Sequence, residues 1–212
     1  GLTALAAVAA LVLAGSWIVA PAAAWSSSLV ATYMVLTIAL GGLLFVAFEY
    51  ATGAGWSVVF RRVPEALAMA LPTLGLVMIA VVAAGANGYV WQHDGGDAGT
   101  FWFKELWLTK SFFLARAVVY VALWSLVVWM VVGTSRKQDR TGDLKQTFTN
   151  RRLSGLVLLV FAPTFSLAAS DWFMSLEPMW FSTVWGAYHF AGLAMSSLAV
   201  VVLLTLYLRR TG

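Results

Sequence analysis

The chain is built from apolar runs of about twenty residues, each long enough to cross a bilayer as a helix rising about 1.5 Å per residue. Six such runs can be marked: Leu2–Ala20, Leu29–Phe48, Ala66–Ala84, Ser111–Val132, Ser154–Ser170 and Thr183–Leu208. Backbone groups in hydrocarbon must be paired within their own segment, so each run is expected as a helix. The expected fold is all-α: a polytopic transmembrane helix bundle of about six spans, forming a single domain over residues 1–212. With 61% hydrophobic and only 10% charged residues, the chain lacks the charged surface that a soluble domain needs.

Basic residues set the expected orientation. Arg61, Arg62, Arg136, Lys137, Arg140, Lys145, Arg151, Arg152, Arg209 and Arg210 all fall on one side of a six-span topology, whereas the other side holds Lys104 and Lys110. The positive-inside rule then puts both termini in the cytoplasm. Because these residues sit in short loops beside spans, topology and anionic lipid account for the net charge of +4, and no nucleic-acid partner is expected. There is no cysteine, so the chain itself offers no disulfide, thiolate metal site or iron–sulfur ligand. The first run lacks a basic leader. Ala20-Pro21-Ala22-Ala23-Ala24 resembles a signal-peptidase site, and a retained helix is the reading preferred over a cleaved one.

Ser166–Gly192, SLAASDWFMSLEPMWFSTVWGAYHFAG, sets two carboxylates, Asp171 and Glu177, between the last two runs. Trp172, Phe173, Trp180, Phe181 and Trp185 are interleaved with them, the composition of an interfacial aromatic belt at the outer turn of a hairpin. This segment, with GAGWSVVFRRVPE at Gly53–Glu65 and SRKQDRTGD at Ser135–Asp143, resembles the ActF-type integral-membrane subunits of bacterial alternative complex III. Those subunits are quinol:cytochrome c oxidoreductase components of the polysulfide-reductase-type membrane-anchor superfamily. The resemblance is collinear over most of the chain. It departs at Met179, where the family pattern has histidine, and at His189, where that pattern is apolar.

The resemblance implies a multi-pass subunit of a bacterial inner membrane respiratory complex. Its partners would be a related quinol-binding membrane subunit, an iron–sulfur protein and c-type cytochromes, within the lipid bilayer. It also implies a retained first helix, and a partial chain, since the family continues with more helices.

Arg116 is the most informative single residue. The fourth run starts near Lys110 and carries this guanidinium roughly 9 Å below the outer surface. A charge there needs a partner, and Asp171 at the outer end of the fifth run is the natural one; a helix-locking ion pair and snorkelling to headgroups are the structural alternatives. His189, six residues into the last run, reaches a similar depth. Arg116, Asp171 and His189 are therefore the candidate catalytic layer, for proton transfer or quinone contact, and Trp172, Trp180 and Trp185 the candidate quinone slot. A quinone or quinol is the cofactor expected. Neither haem nor a cluster is expected, because the only histidines are His189 and the loop residue His93. Nor is a metal: His93, Asp94 and Asp97 are explained by Asp-Gly turn chemistry.

Tyr89–Lys110 reads as an outer loop whose FWFKELW segment lies along the interface, and Gly133–Arg152 as a solvated connector. Pro163 in the fifth run and Pro72 in the third are expected to kink their helices, with Thr164 and Ser166 placed to order water on a proton path from Asp171. Glu49 and Glu65 are expected to form ion pairs with Arg61 and Arg62, and Glu49 is the candidate for inner proton uptake. Gly41-Gly42 is expected to permit close helix packing. A purely structural anchor and a secondary transporter are the competing functional classes. The clustering of intramembrane charge near one face argues against the midplane site of a transporter.

Overall fold

Every apolar run is helical. The computed structural model describes residues 2–85, 89, 91 and 106–211, with the backbone alone at residues 2, 4–8, 10, 11 and 13. Helix α1 covers Leu2–Val19, α2 Pro21–Thr52, α3 Arg62–Met69, α4 Leu71–Ala84, α5 Lys110–Thr141, α6 Lys145–Trp172 and α7 Trp185–Thr211. Short 3-10 turns occupy Gly55–Val59 and Met174–Leu176. No strand occurs among the described residues, and the fold is an all-α bundle. Among the described residues five stretches are long and apolar enough to cross a membrane: α2, α3 with α4, α5, α6 extended to Leu176, and α7.

The first expected span falls on α1, an 18-residue helix. The eight residues expected to connect it to the second span are instead the first two turns of α2, with Pro21 at the helix start, where its missing N–H costs no hydrogen bond. Only Ala20 separates α1 from α2. Its N–H donates to Ser16 O at 2.8 Å, and Ala24 N–H donates to Ala20 O at 2.9 Å, so helical bonding reaches the junction from both sides. This leaves no loop of the two to five residues that joins helices in a hairpin.

Gly133–Arg152 also differs from expectation. Arg, Lys and Gln are good helix formers, so α5 runs on to Thr141 and α6 begins at Lys145. The turn between them is short because Gly142 takes a left-handed conformation, φ +65°, and its N–H caps Gln138 O at 2.8 Å. Of the Tyr89–Lys110 loop only Tyr89, Trp91 and residues from Leu106 onward are described; the HDGGDAG core, with His93, Asp94 and Asp97, lies outside the described residues.

Helix α2 is the axis of the bundle, touching α3, α4, α6 and α7, while α5 packs between α4 and α6. Two adjacent glycines let it do so. A Cβ on Gly41 would stand 1.7 Å from Ser197 Oγ of α7, and one on Gly42 would stand 2.8 Å from Pro64 O of α3. Its N-terminal end is fastened by Trp25, whose indole N–H donates to Val81 O of α4 at 2.9 Å while Gly85 lies against the ring.

The two proline expectations resolve differently. Pro72 divides the third span, with α3 ending at Met69 and Ala70 N–H turning back to Leu67 O at 3.1 Å. Pro163 sits inside α6 without ending it. Thr164 Oγ1 donates to Val160 O at 2.6 Å and accepts Trp124 Nε1–H at 2.8 Å; Ser166 Oγ donates to Ala162 O at 2.9 Å. Both hydroxyl protons are thus given to carbonyls of α6 itself.

Candidate functional site

At the end of the bundle opposite the basic loops, α5, the Trp107 segment before it and the Met174–Leu176 turn converge on Asp171, in the last turn of α6. Arg116 lies two turns into α5, where the approach of α6 brings the two side chains together. Arg116 Nε donates to Asp171 Oδ2 at 2.8 Å and Nη2 donates to Oδ1 at 3.0 Å, a bidentate pair. Both are buried, at 7% and 2% exposure. The remaining capacity of the carboxylate is also taken: Trp107 Nε1–H donates to Oδ1 at 2.8 Å and Tyr120 O–H to Oδ2 at 2.9 Å.

Arg116 is equally enclosed. Its Nη1 donates to Trp107 O at 2.8 Å, and its guanidinium carbon lies 4.0 Å from the Trp107 ring centre and 4.6 Å from that of Phe112. Cation–π attraction thus adds to the ion pair in a desolvated setting. With four donors on one carboxylate, the pair meets the condition under which a buried ion pair is tolerated, namely that its remaining lone pairs are satisfied. The backbone is tied in as well: Ser175 Oγ donates to Asp171 O, and Tyr89 O–H donates to Trp172 O at 3.0 Å. Burial, and after it the negative charge of Asp171, pushes the Tyr89 hydroxyl up from its ordinary range, so it stays a donor.

His189 belongs to a second, neighbouring cluster. Its Nδ1 shares a hydrogen bond with Tyr33 O–H at 2.9 Å, and its ring packs against Trp185 at 4.6 Å, Tyr33 at 5.3 Å and Phe173 at 5.6 Å between centroids. Its Nε2 is buried with no hydrogen-bond partner among the described residues. Between the two clusters stands Trp172, 1% exposed, edge-on to Tyr33 at 6.3 Å and to Tyr120 at 6.4 Å. Aromatic rings therefore link His189 to Asp171 with no direct bond between them.

The three candidate slot tryptophans occupy different settings. Trp172 is a core residue, also edge-on to Trp124 at 6.0 Å. Trp185 is half-buried over His189, its N–H donating to Ala169 O at 3.1 Å, and Trp180, about half exposed, lies edge-on to Trp185 at 5.2 Å. Trp180 and Trp185 thus form a path from the surface towards His189, on which Tyr188 and Phe181 are also exposed. The two hairpin carboxylates separate: Asp171 is enclosed and Glu177 is exposed.

Sequence reasoning did not name Tyr33, Trp107 or Tyr120. Tyr120 was within reach, since it follows Arg116 by four residues and so shares its helix face. Trp107 belongs to the FWFKELW segment nine residues before Arg116, whose aromatic character was visible though its contact was not, whereas Tyr33 comes from a segment distant in sequence and carries no local signal.

At the basic end, Glu65 is held by both arginines as expected. Arg61 Nε lies 3.5 Å away and Arg62 Nη1 donates to its Oε2. Ser135 of α5 donates to Glu65 Oε1 at 2.6 Å and accepts from Tyr50 O–H at 3.3 Å, while Arg62 also pairs with Asp139. The expected ion pair of Glu49 does not form. Arg61 is turned to Glu65 and to the Tyr50 ring, leaving both Glu49 oxygens buried and without a hydrogen-bond partner among the described residues.

Compared with protein-family models and with curated proteins, the chain finds no match in either set.

Proposed function

We propose that this chain is a membrane subunit of a respiratory quinol:electron-acceptor oxidoreductase of the alternative complex III type, in the bacterial inner membrane, with its basic end in the cytoplasm. The observation that carries the reading is His189: a ring with one nitrogen bonded to Tyr33, the other buried and without a hydrogen-bond partner among the described residues, at the inner end of a path of exposed aromatics. A quinone site needs an apolar, aromatic slot reached from lipid and a hydrogen-bonding group for the ring oxygen. Trp180, Trp185 and Phe173 supply the first and His189 Nε2 the second.

The chemistry supplied by a bound quinol is two-electron donation coupled to release of two protons. His189 accepts or donates a proton at Nε2 according to tautomer. When Nδ1–H donates to the Tyr33 oxygen, Nε2 is the acceptor; when Tyr33 O–H donates to Nδ1, Nε2 carries the proton. Trp185 and Phe173 pack against the imidazole, and Trp172 stands between it and the Arg116–Asp171 pair. Asp171, already accepting four hydrogen bonds, acts as an anchor that fixes α5 against α6. Partner subunits, an iron–sulfur protein and c-type cytochromes alongside the related quinol-binding membrane subunit, would supply the redox centres that take the electrons.

A purely structural anchor is the second reading, favoured by the saturation of Asp171. Purification of the native complex through a tag on this chain tests the assignment. Haem-containing and iron–sulfur subunits are expected to co-purify, and isolation of the chain by itself would overturn the reading. In that complex His189→Leu is expected to lower quinol-dependent acceptor reduction at least tenfold while the haem content stays constant, and unchanged turnover would leave the anchor reading standing.

A further inference from the structure

The quinol reading leaves unused one feature at the other end of the bundle. Glu49 lies in the last turn of α2, is 6% exposed, and has neither carboxyl oxygen in a hydrogen bond among the described residues. Buried carboxylates are normally saturated by donors, as Asp171 and Glu65 are here, and an unpaired ion at such a position is far costlier than a neutral acid. The charged groups acting on Glu49 come from the turn before α3 and from α3 itself, Arg61 and Glu65, and the Ser57 hydroxyl stands beside it.

None of these groups hydrogen-bonds either carboxyl oxygen. Arg61 is engaged by Glu65 at 3.5 Å and lies over the Tyr50 ring at 5.4 Å, so its charge is shared with a carboxylate that Arg62 also binds. The Ser57 hydroxyl donates to Ala54 O at 2.8 Å. A metal ion is not a fitting occupant, because no group of three or more His, Cys, Asp or Glu able to hold one occurs among the described residues. A proton, which needs a single carboxyl, is the ligand that fits.

We propose that Glu49 is a proton-binding site at the basic end of the bundle, carrying its carboxyl as the neutral acid and exchanging the proton with water where α2 ends. Thr52 and Gly53, three and four residues further on, are exposed and give water its approach. No hydrogen bond among the described residues has to break for the carboxyl to exchange its proton.

The test is made on the full chain in native membranes. Infrared difference spectra are recorded as pH is stepped, on the unaltered chain and on Glu49→Gln, and a hydrophobic carbodiimide, which adds only to protonated carboxyls, is applied with mass-spectrometric mapping. The expected result is a protonated-carboxyl band that Glu49→Gln removes and Glu49→Asp only shifts, with an adduct on the Glu49 peptide whose rate of formation falls as pH rises. Glu65, held by arginines, is expected to stay unlabelled. A spectrum that Glu49→Gln leaves unchanged overturns the proposal and means that the carboxylate is ionised beside a cationic group from elsewhere. An adduct that forms at a rate independent of pH overturns it too.

Discussion

Arg116 and Asp171 meet through two parallel hydrogen bonds, 2.8 and 3.0 Å long, although 55 residues separate them in the chain. Removing either partner strands the other charge in a low-dielectric interior. Arg116→Met and Asp171→Leu are each expected to destabilise the purified protein by about 3–5 kcal/mol. The double variant should cost clearly less than the sum of the two, since no charge is then left unpaired. Thermal unfolding in detergent or nanodiscs reads the cycle, and strict additivity would show that the bonds contribute nothing jointly.

Gly41 gives a steric prediction. In Gly41→Ala the new methyl group meets Ser197 Oγ at 1.7 Å and Ser197 Cβ at 2.4 Å, so α2 and α7 must separate, at a cost of about 1–3 kcal/mol. Ser197→Gly removes both atoms and is expected to restore most of the loss. Failure of that rescue would place the strain elsewhere.

Tyr89 predicts a pH dependence. Burial and the nearby Asp171 keep its phenol protonated in the folded chain above the ordinary value of 10.0, at which the unfolded chain releases the proton. The folded state then binds more protons than the unfolded one, so this group makes stability fall as pH rises past that value. Tyr89→Phe is expected to make the alkaline decline shallower, while costing about 1 kcal/mol near neutrality for the lost bond to Trp172 O. An unchanged alkaline slope would remove Tyr89 from the account.

Orientation is checked with single cysteines, for which the chain provides a cysteine-free background. Met179 and Leu144 are exposed at opposite ends of the bundle. Met179→Cys is expected to react with an impermeant maleimide applied from the periplasm and Leu144→Cys only after the membrane is opened. The reverse pattern would invert the proposed orientation.

The helices were legible in the sequence because runs such as Ala66–Ala84 have a single way to satisfy their backbone in hydrocarbon. Their ends were less so. Polar helix such as Ser135–Thr141 carries no apolar signal, and Pro21 reads equally as a loop residue and as a helix start. The Arg116–Asp171 pair followed from cost: a buried charge demands a partner, and Asp171 was the carboxylate at the right helix end. The separation of His189 from that pair did not follow. Depth along a helix axis can be counted from sequence, but rotation about that axis depends on how α7 packs on α2, which Gly41 and Ser197 decide. Glu49 was misread for a related reason: sequence proximity to Arg61 and Arg62 did not reveal that both arginines turn towards Glu65.

The notch at Gly41 also bears on the order of assembly. Ser197, which fills it, lies 156 residues downstream (197 − 41), and α7 leaves the ribosome after the helices that surround α2. While the chain is being inserted, α2 can settle against α3, α4 and α6 with one flank still open to lipid. Helix α7 then docks onto helices that are already in place. Nascent chains stalled before residue 197 should therefore be the forms most exposed to quality-control proteases and to wrong helix partners.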